Sequence, residues 1–235
     1  MTESATQFFD TWSVYDQILD RNFMFHDEIF NDVGTFLADR FGDRPLEILD
    51  LGCGSARHIS LALAGRNVVS YVGYDLSQAA LNHARENLGR LNCPVELRLG
   101  DFLVGIERLK DEYDVILSSF AIHHLSAEGK QQFFKEVACH LKPAGIFLLI
   151  DPVRRENESR PIYLDNYCQW IQTDWRLKPE EACAEVIAHV RDCDFPETAS
   201  LLATMATNAG LVRSWEGHPY RWHQAFGFEP LRISD

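Results

Sequence analysis

Ile48-Leu49-Asp50-Leu51-Gly52-Cys53-Gly54-Ser55-Ala56 joins an apolar run to a helix-forming one through two glycines. The run Leu46–Leu51 has the length and apolar content of a short strand. Gly52 and Gly54 then let the chain turn tightly and let its backbone approach a ligand with no Cβ in the way. Asp75 closes the next apolar run, 21 residues beyond Gly54. A carboxylate placed there takes both hydroxyls of a ribose, a geometry shared by nucleotide-binding α/β folds.

Outward from this turn the chain keeps the same rhythm. Ser70–Tyr74, Val95–Leu99, Tyr113–Ser118 and Gly145–Ile150 are further predicted strands. Between them, Ala80, Leu81, Ala84 and Leu88, and later Phe133, Phe134, Val137, Ala138 and Leu141, mark helical faces. Gly89, Gly105 and Pro143-Ala144-Gly145 are expected to separate elements. A helix over Ala199–Asn208 should end at Gly210 as its C′ residue, followed by strands at Leu211–Glu216 and Trp222–Phe228. The expected fold is a doubly wound, mostly parallel, seven-stranded α/β sheet in one domain. Residues 1–45 form an N-terminal helical cap, with Phe8, Trp12, Tyr15 and Leu19 on one helix face and Ile29, Val33, Phe36 and Leu37 on another. Residues 46–151 form the core. Residues 152–197, with a polar loop at Arg154–Arg160 and an apolar stripe of Cys183, Val186, Ile187 and Val190, form a lid-like helical insertion. Residues 198–235 complete the sheet.

At this point the sequence resembles the class I S-adenosylmethionine-dependent methyltransferases. Asp50-Leu51-Gly52-Cys53-Gly54 is similar to their first motif, and Gly73-Tyr74-Asp75-Leu76-Ser77 to their second. Leu99-Gly100-Asp101-Phe102 resembles the adenine-facing segment, and Tyr113–Ser119 and Leu141–Phe147 resemble the fourth strand and the entry to the fifth. Ala209-Gly210-Leu211 matches the lead into the sixth. Ala56 replaces the third glycine of the common pattern. The resemblance implies a Rossmann-like methyltransferase fold with S-adenosyl-L-methionine as cofactor. Gly52 and Gly54 would pack against its methionine half, Asp75 and Leu76 would meet the ribose side, and Asp101 and Phe102 the adenine. Ser119 would lie near the sulfonium, with Tyr15 closing over it. Asp50 would either touch the cofactor or only orient the glycine turn. A dinucleotide site fits less well, because Arg57 stands where the G-x-G-x-x-G/A fingerprint needs a small residue.

Composition sets the outer limits. The chain has 235 residues, 46% hydrophobic and 24% charged, as in ordinary globular proteins. At that size folding buries roughly 70% of the unfolded surface without a staple. The net charge is −13, and no basic footprint marks a nucleic-acid binder. There is no apolar run long enough to span a membrane and no secretory signal at Met1-Thr2-Glu3-Ser4. The expectation is a cytoplasmic protein with no membrane partner. Six cysteines without a CxxC pair are expected to be buried thiols.

Methyl transfer from a sulfonium needs alignment and exclusion of water, with a base only where the acceptor must lose a proton. His123 and His124, just past the fourth strand, are the candidates for that role. No metal is expected: Asp151 stands alone at its strand end, and Cys183, His189 and Cys193 are irregularly spaced. Aromatics outside the core would close a dry cavity over a small-molecule acceptor and hold a cationic amine. They are Phe8, Trp12, Tyr15, Phe23, Phe25 and His26 in the cap, Tyr163, Tyr167, Trp170 and Trp175 in the insertion, and His218, Tyr220, Trp222 and His223 in the tail. The expected activity is methylation of a small molecule at oxygen or nitrogen. A protein or RNA methyltransferase and a non-catalytic S-adenosylmethionine-binding module remain as alternatives, and the oligomeric state is open.

Overall fold

In the computed structural model, residues 12–178 and 181–231 are described. Phe8 lies outside them, as does the side chain of Trp12. The elements run α1 (Trp12–Asp20), α2 (His26–Phe41), β1 (Leu46–Leu51), α3 (Arg57–Ala62), β2 (Val68–Asp75), α4 (Gln78–Leu88), β3 (Val95–Leu99), α5 (Phe102–Ile106) and β4 (Tyr113–Ser119). A 3-10 turn at Ile122–His124 precedes α6 (Ala127–His140), β5 (Leu141–Arg154), α7 (Arg160–Asp174) and α8 (Glu181–Cys193). The chain finishes with β6 (Glu197–Thr198), α9 (Ala199–Asn208), β7 (Leu211–Glu216) and β8 (His223–Pro230).

The strand order is β3-β2-β1-β4-β5-β8-β7, with the two-residue β6 paired to β5. The first five strands are parallel, and β8 is antiparallel to both neighbours. The chain returns from the β3 edge to place β4 beside β1, so the order reverses between them and opens a crevice at their carboxyl ends. The seven-strand path agrees with the sequence reading. One face of the sheet packs on Phe133, Phe134, Val137, Leu202 and Met205 of α6 and α9. The other packs on Ile29, Val33 and Leu37 of α2, together with Ile59 and Ala84.

Several local expectations are corrected. Pro143-Ala144-Gly145 does not stop an element. β5 runs from Leu141 through it, absorbing the misfit as a register shift opposite Tyr113–Val115. Arg154, expected in a loop, ends the same strand. Gly105 sits inside α5, where an added Cβ would meet the Tyr74 ring at 2.3 Å, so its role is close packing. Gly89 does cap α4, and Gly210 takes a φ of +82° just past α9, as a C′ glycine should. The six cysteines are unpaired but not uniformly buried: Cys139 is exposed.

Residues expected as one cap divide between two cores. Helix α2 belongs to the sheet. Val14 and Ile18 of α1 join Tyr163, Tyr167, Trp170, Trp175, Val186 and Trp222 in a separate cluster built on α7 and α8. Stacked rings tie the 22–25 turn to that cluster: Phe23 on Trp175 at 5.1 Å and Phe25 on Trp170 at 6.2 Å. Most aromatics expected to wall a cavity therefore pack in this cluster, and Tyr167 and Trp175 among them also line a cavity.

Candidate active site

The glycine turn is built as the sequence implies. The amides of Gly52 and Cys53 both donate to the Tyr74 carbonyl at 2.9 Å, bending the chain back toward β2. Gly52 has φ +83° and Gly54 φ +51°. A Cβ on Gly52 would lie 2.7 Å from that of Ala121, whereas one on Gly54 would project into open space. Ala56, at the third glycine position, adopts φ +51°, a strained conformation for an L residue.

Asp75 holds this turn. Its Oδ2 accepts from the Gly54 amide at 2.8 Å and its Oδ1 from the Ser77 amide at 2.8 Å. A carboxylate offers about four lone-pair positions, and with the Leu76 amide also directed at it at least one remains. Burial raises its pKa, and the amides of Ser77, Gly54 and Leu76 oppose that rise. Gly52, Gly54, Asp75, Leu76, Phe102, Ser119, Tyr15 and His124 line one cavity at the strand ends, together with Ser77, Ala80, Phe120 and Ala121. The space inside it, its open mouth included, is about 570 Å³. A polar recess continues from it along Gly54–Ile59 to His26, whose two ring nitrogens are buried without hydrogen-bond partners among the described residues.

Two expected residues stand off this wall. Asp50 is buried behind it, and its Oδ2 accepts from the Tyr71 hydroxyl at 2.5 Å. Burial first, opposed by that bond, moves its pKa up to about 7. Asp101 caps α5 through the Leu103 amide at 2.8 Å.

Past β4 the chain turns through Phe120 at φ +52°. This places the 120–124 segment between the first cavity and a second one under the lid. Tyr15, Phe120 and His124 line both. The second chamber is completed by Ile18, Met24, Tyr167, Trp175, Val186, His123 and Asp194, among others. His123 is held from behind, its Nδ1 2.7 Å from Asp151 Oδ1, and Asp151 also accepts from the backbone of Ala121 and His123. Burial pushes the His123 pKa down to about 3 and that of His124 well below its usual value. Both rings are therefore neutral near pH 7. His124 Nδ1 lies 3.1 Å from the Cys193 carbonyl, to which a ring N–H there donates.

The sequence reading missed Asp194, whereas Phe120 and Ala121 belong to the segment past the fourth strand that it expects to border the crevice. Asp194 reaches the cluster from the end of α8, and no spacing rule links it to His123.

Residues 48–145 match the family model of the methyltransferase domain. A carboxy-S-adenosyl-L-methionine synthase of Actinobacillus succinogenes is 26% identical over 153 residues, covering 62% of this chain and 61% of that protein. An uncharacterized methyltransferase of Synechocystis is 31% identical over 129 residues, covering 51% and 57%. Among solved structures, magnesium protoporphyrin IX methyltransferase of Synechocystis with bound SAH superposes with a TM-score of 0.61 at 13% identity, over 86% of this chain and 82% of that one. The chain spans about three fifths of the length of the first of these relatives. With its motifs at the switch point of this sheet, the chain carries a methyltransferase domain over residues 48–145 and has the Rossmann-like fold of S-adenosylmethionine-dependent methyltransferases.

Proposed function

We propose that the protein transfers the methyl group of S-adenosyl-L-methionine to oxygen or nitrogen of a small molecule held in the chamber under the lid. The observation that carries this reading is the shared frame of Tyr15, Phe120 and His124, which makes the two cavities neighbours across a single layer of side chains. The residues fit the cofactor. Gly54 leaves open space for it, Asp75 has at least one lone pair left for a ribose hydroxyl, and Leu76 and Phe102 give an apolar seat for adenine. When bound, it supplies an already activated methyl. The chain's own work is then to bind, align and exclude water. The α1–α7–α8 core roofs the chamber, and Asp151 fixes the His123 ring that walls it. No helix among the described residues is long and apolar enough to cross a membrane, and a net charge of −13 disfavours a nucleic-acid substrate.

Calorimetric titration with S-adenosyl-L-methionine tests the reading directly. Wild type should bind one equivalent, and Asp75→Ala should lose about 1–3 kcal/mol of affinity, as for a charge-assisted hydrogen bond. Unchanged affinity in that variant rejects the ribose assignment. The name of the Actinobacillus relative favours a second reading, in which the cofactor itself is modified. Mass spectrometry of the cofactor product separates the two: demethylated cofactor supports acceptor methylation, and a heavier sulfonium supports the other.

A further inference from the structure

Around the chamber end of the 3-10 turn, acceptor groups converge without enough protons. His123 Nδ1 faces Asp151 at 2.7 Å and donates to it when that carboxylate is ionised, leaving Nε2 as an acceptor. That Nε2 looks at Asp194 Oδ1 across 3.7 Å. The same oxygen lies 3.4 Å from His124 Nδ1, whose hydrogen is directed to the Cys193 carbonyl at 3.1 Å. Asp194 is only 4% exposed, and its Oδ1 has no hydrogen-bond partner among the described residues. A buried carboxylate without a donor is costly. The nearby cations relieve it only in part: the Arg160 charge favours the ionised carboxylate, but no cation among the described residues donates to Oδ1. Lys130 gives its ammonium to the Phe195 carbonyl and to Glu197, and Arg160 bonds the backbone carbonyl of Asp194. The missing partner is a donor-rich, positively charged group, and the wall opposite is aromatic: Tyr15, Phe120, Tyr167 and Trp175. Aromatic faces attract an alkylammonium.

We propose that the methyl acceptor is a small amine, bound as its ammonium to Asp194 with His123 Nε2 beside it. This rests on the chamber being the acceptor site. An N–H bond of the ammonium breaks and its proton forms an O–H bond on Asp194. The nitrogen lone pair then forms the N–C bond to the methyl as the C–S bond breaks, its electron pair staying on sulfur. The products are a methylated ammonium, a neutral thioether and a protonated Asp194, so charge is conserved. Burial, which raises the Asp194 pKa well above the usual carboxylate value, makes it a competent proton acceptor.

The test begins with binding. Protein saturated with S-adenosylhomocysteine is titrated with benzylamine and, as size-matched neutral or anionic probes, benzyl alcohol and benzoate. Benzylamine should bind in preference, and Asp194→Asn should weaken it at least 10-fold while leaving cofactor affinity and melting temperature in place. Labelled S-adenosylmethionine is then incubated with pooled cell metabolites. Label should appear on nitrogen, and turnover of the amine found there should fall about 100-fold in Asp194→Asn. Transfer to oxygen, sulfur or carbon overturns the proposal, as does failure of every amine in the pool, or an Asp194→Asn protein that binds benzylamine normally. One equivalent of tightly held zinc, lost in Asp194→Asn, would also overturn it by filling the same acceptors with a metal. Absence of cofactor binding in the wild type would instead reject the methyltransferase reading itself.

Discussion

Gly52 carries φ +83° directly opposite Ala121, with 2.7 Å for any added Cβ. Gly52→Ala therefore meets both a backbone penalty and a clash with the turn that carries His123. The expected cost is about 1–3 kcal/mol of stability, with cofactor affinity reduced as well; chemical denaturation and calorimetry measure the two. Asp50 makes a sharper residue-scale case. Its carboxyl ionises at about 7 when folded against 3.8 ordinarily, chiefly through burial. Between those values the folded state keeps a proton that the unfolded state has released, so stability falls as pH rises from about 4 to about 7. Asp50→Asn keeps the acceptor for Tyr71 and removes the charge. Its stability relative to wild type should improve by about 2–4 kcal/mol between pH 4.5 and pH 8, at about 1.4 kcal/mol per pH unit. A pH-independent difference would show that the carboxyl ionises as readily in the folded core as in the unfolded chain.

At the scale of elements, the lid is tied to the sheet through Tyr167 on α7, whose hydroxyl lies 2.8 Å from Nε2 of His223 at the start of β8. His223 is fully buried, and among the described residues its Nδ1 has no hydrogen-bond partner. Tyr167→Phe removes the bond at Nε2, and should cost about 1–3 kcal/mol and speed amide exchange across α7 and α8 more than in β1 or β4. Uniform loss of protection would mean that lid and sheet unfold as one. The elements were unequally legible for a physical reason. Strands β1, β3, β4 and β7 show their apolar runs between polar turns, so their placement followed from local pattern. The long β5 did not, because Pro143 and Gly145 are usual breakers and lie in the register shift between the Leu141 and Ile146 pairs to β4. The motif residues at β1 and β2 were readable because backbone geometry fixes their spacing. Asp194 was not, because a helix of the insertion brings it in from about 70 residues away.

Among the described residues, hydrophobic clusters pack both faces of the sheet and a further one is built on α7 and α8. The N-terminal helices enter both the sheet and the α7–α8 packing, which determines what truncations in that segment do. Leu37 on α2 is fully buried against the sheet, and Ile18 on α1 is 3% exposed within the lid cluster. By transfer and cavity terms alone the two truncations to Ala are alike, each about 2–5 kcal/mol if its core melts with the whole. They should nevertheless differ, because the sheet core fixes the global unfolding free energy while the lid can open sub-globally. Leu37→Ala is expected to lower the denaturant midpoint by the full amount. Ile18→Ala should leave that midpoint nearly unchanged, raise exchange in residues 163–175 and 182–193, and weaken acceptor binding more than cofactor binding. The acceptor chamber includes Ile18, and the cofactor cavity meets α1 through Tyr15. Equal shifts in global stability for the two variants would merge the cores into one cooperative unit, and opening of the lid would then require the sheet to unfold with it.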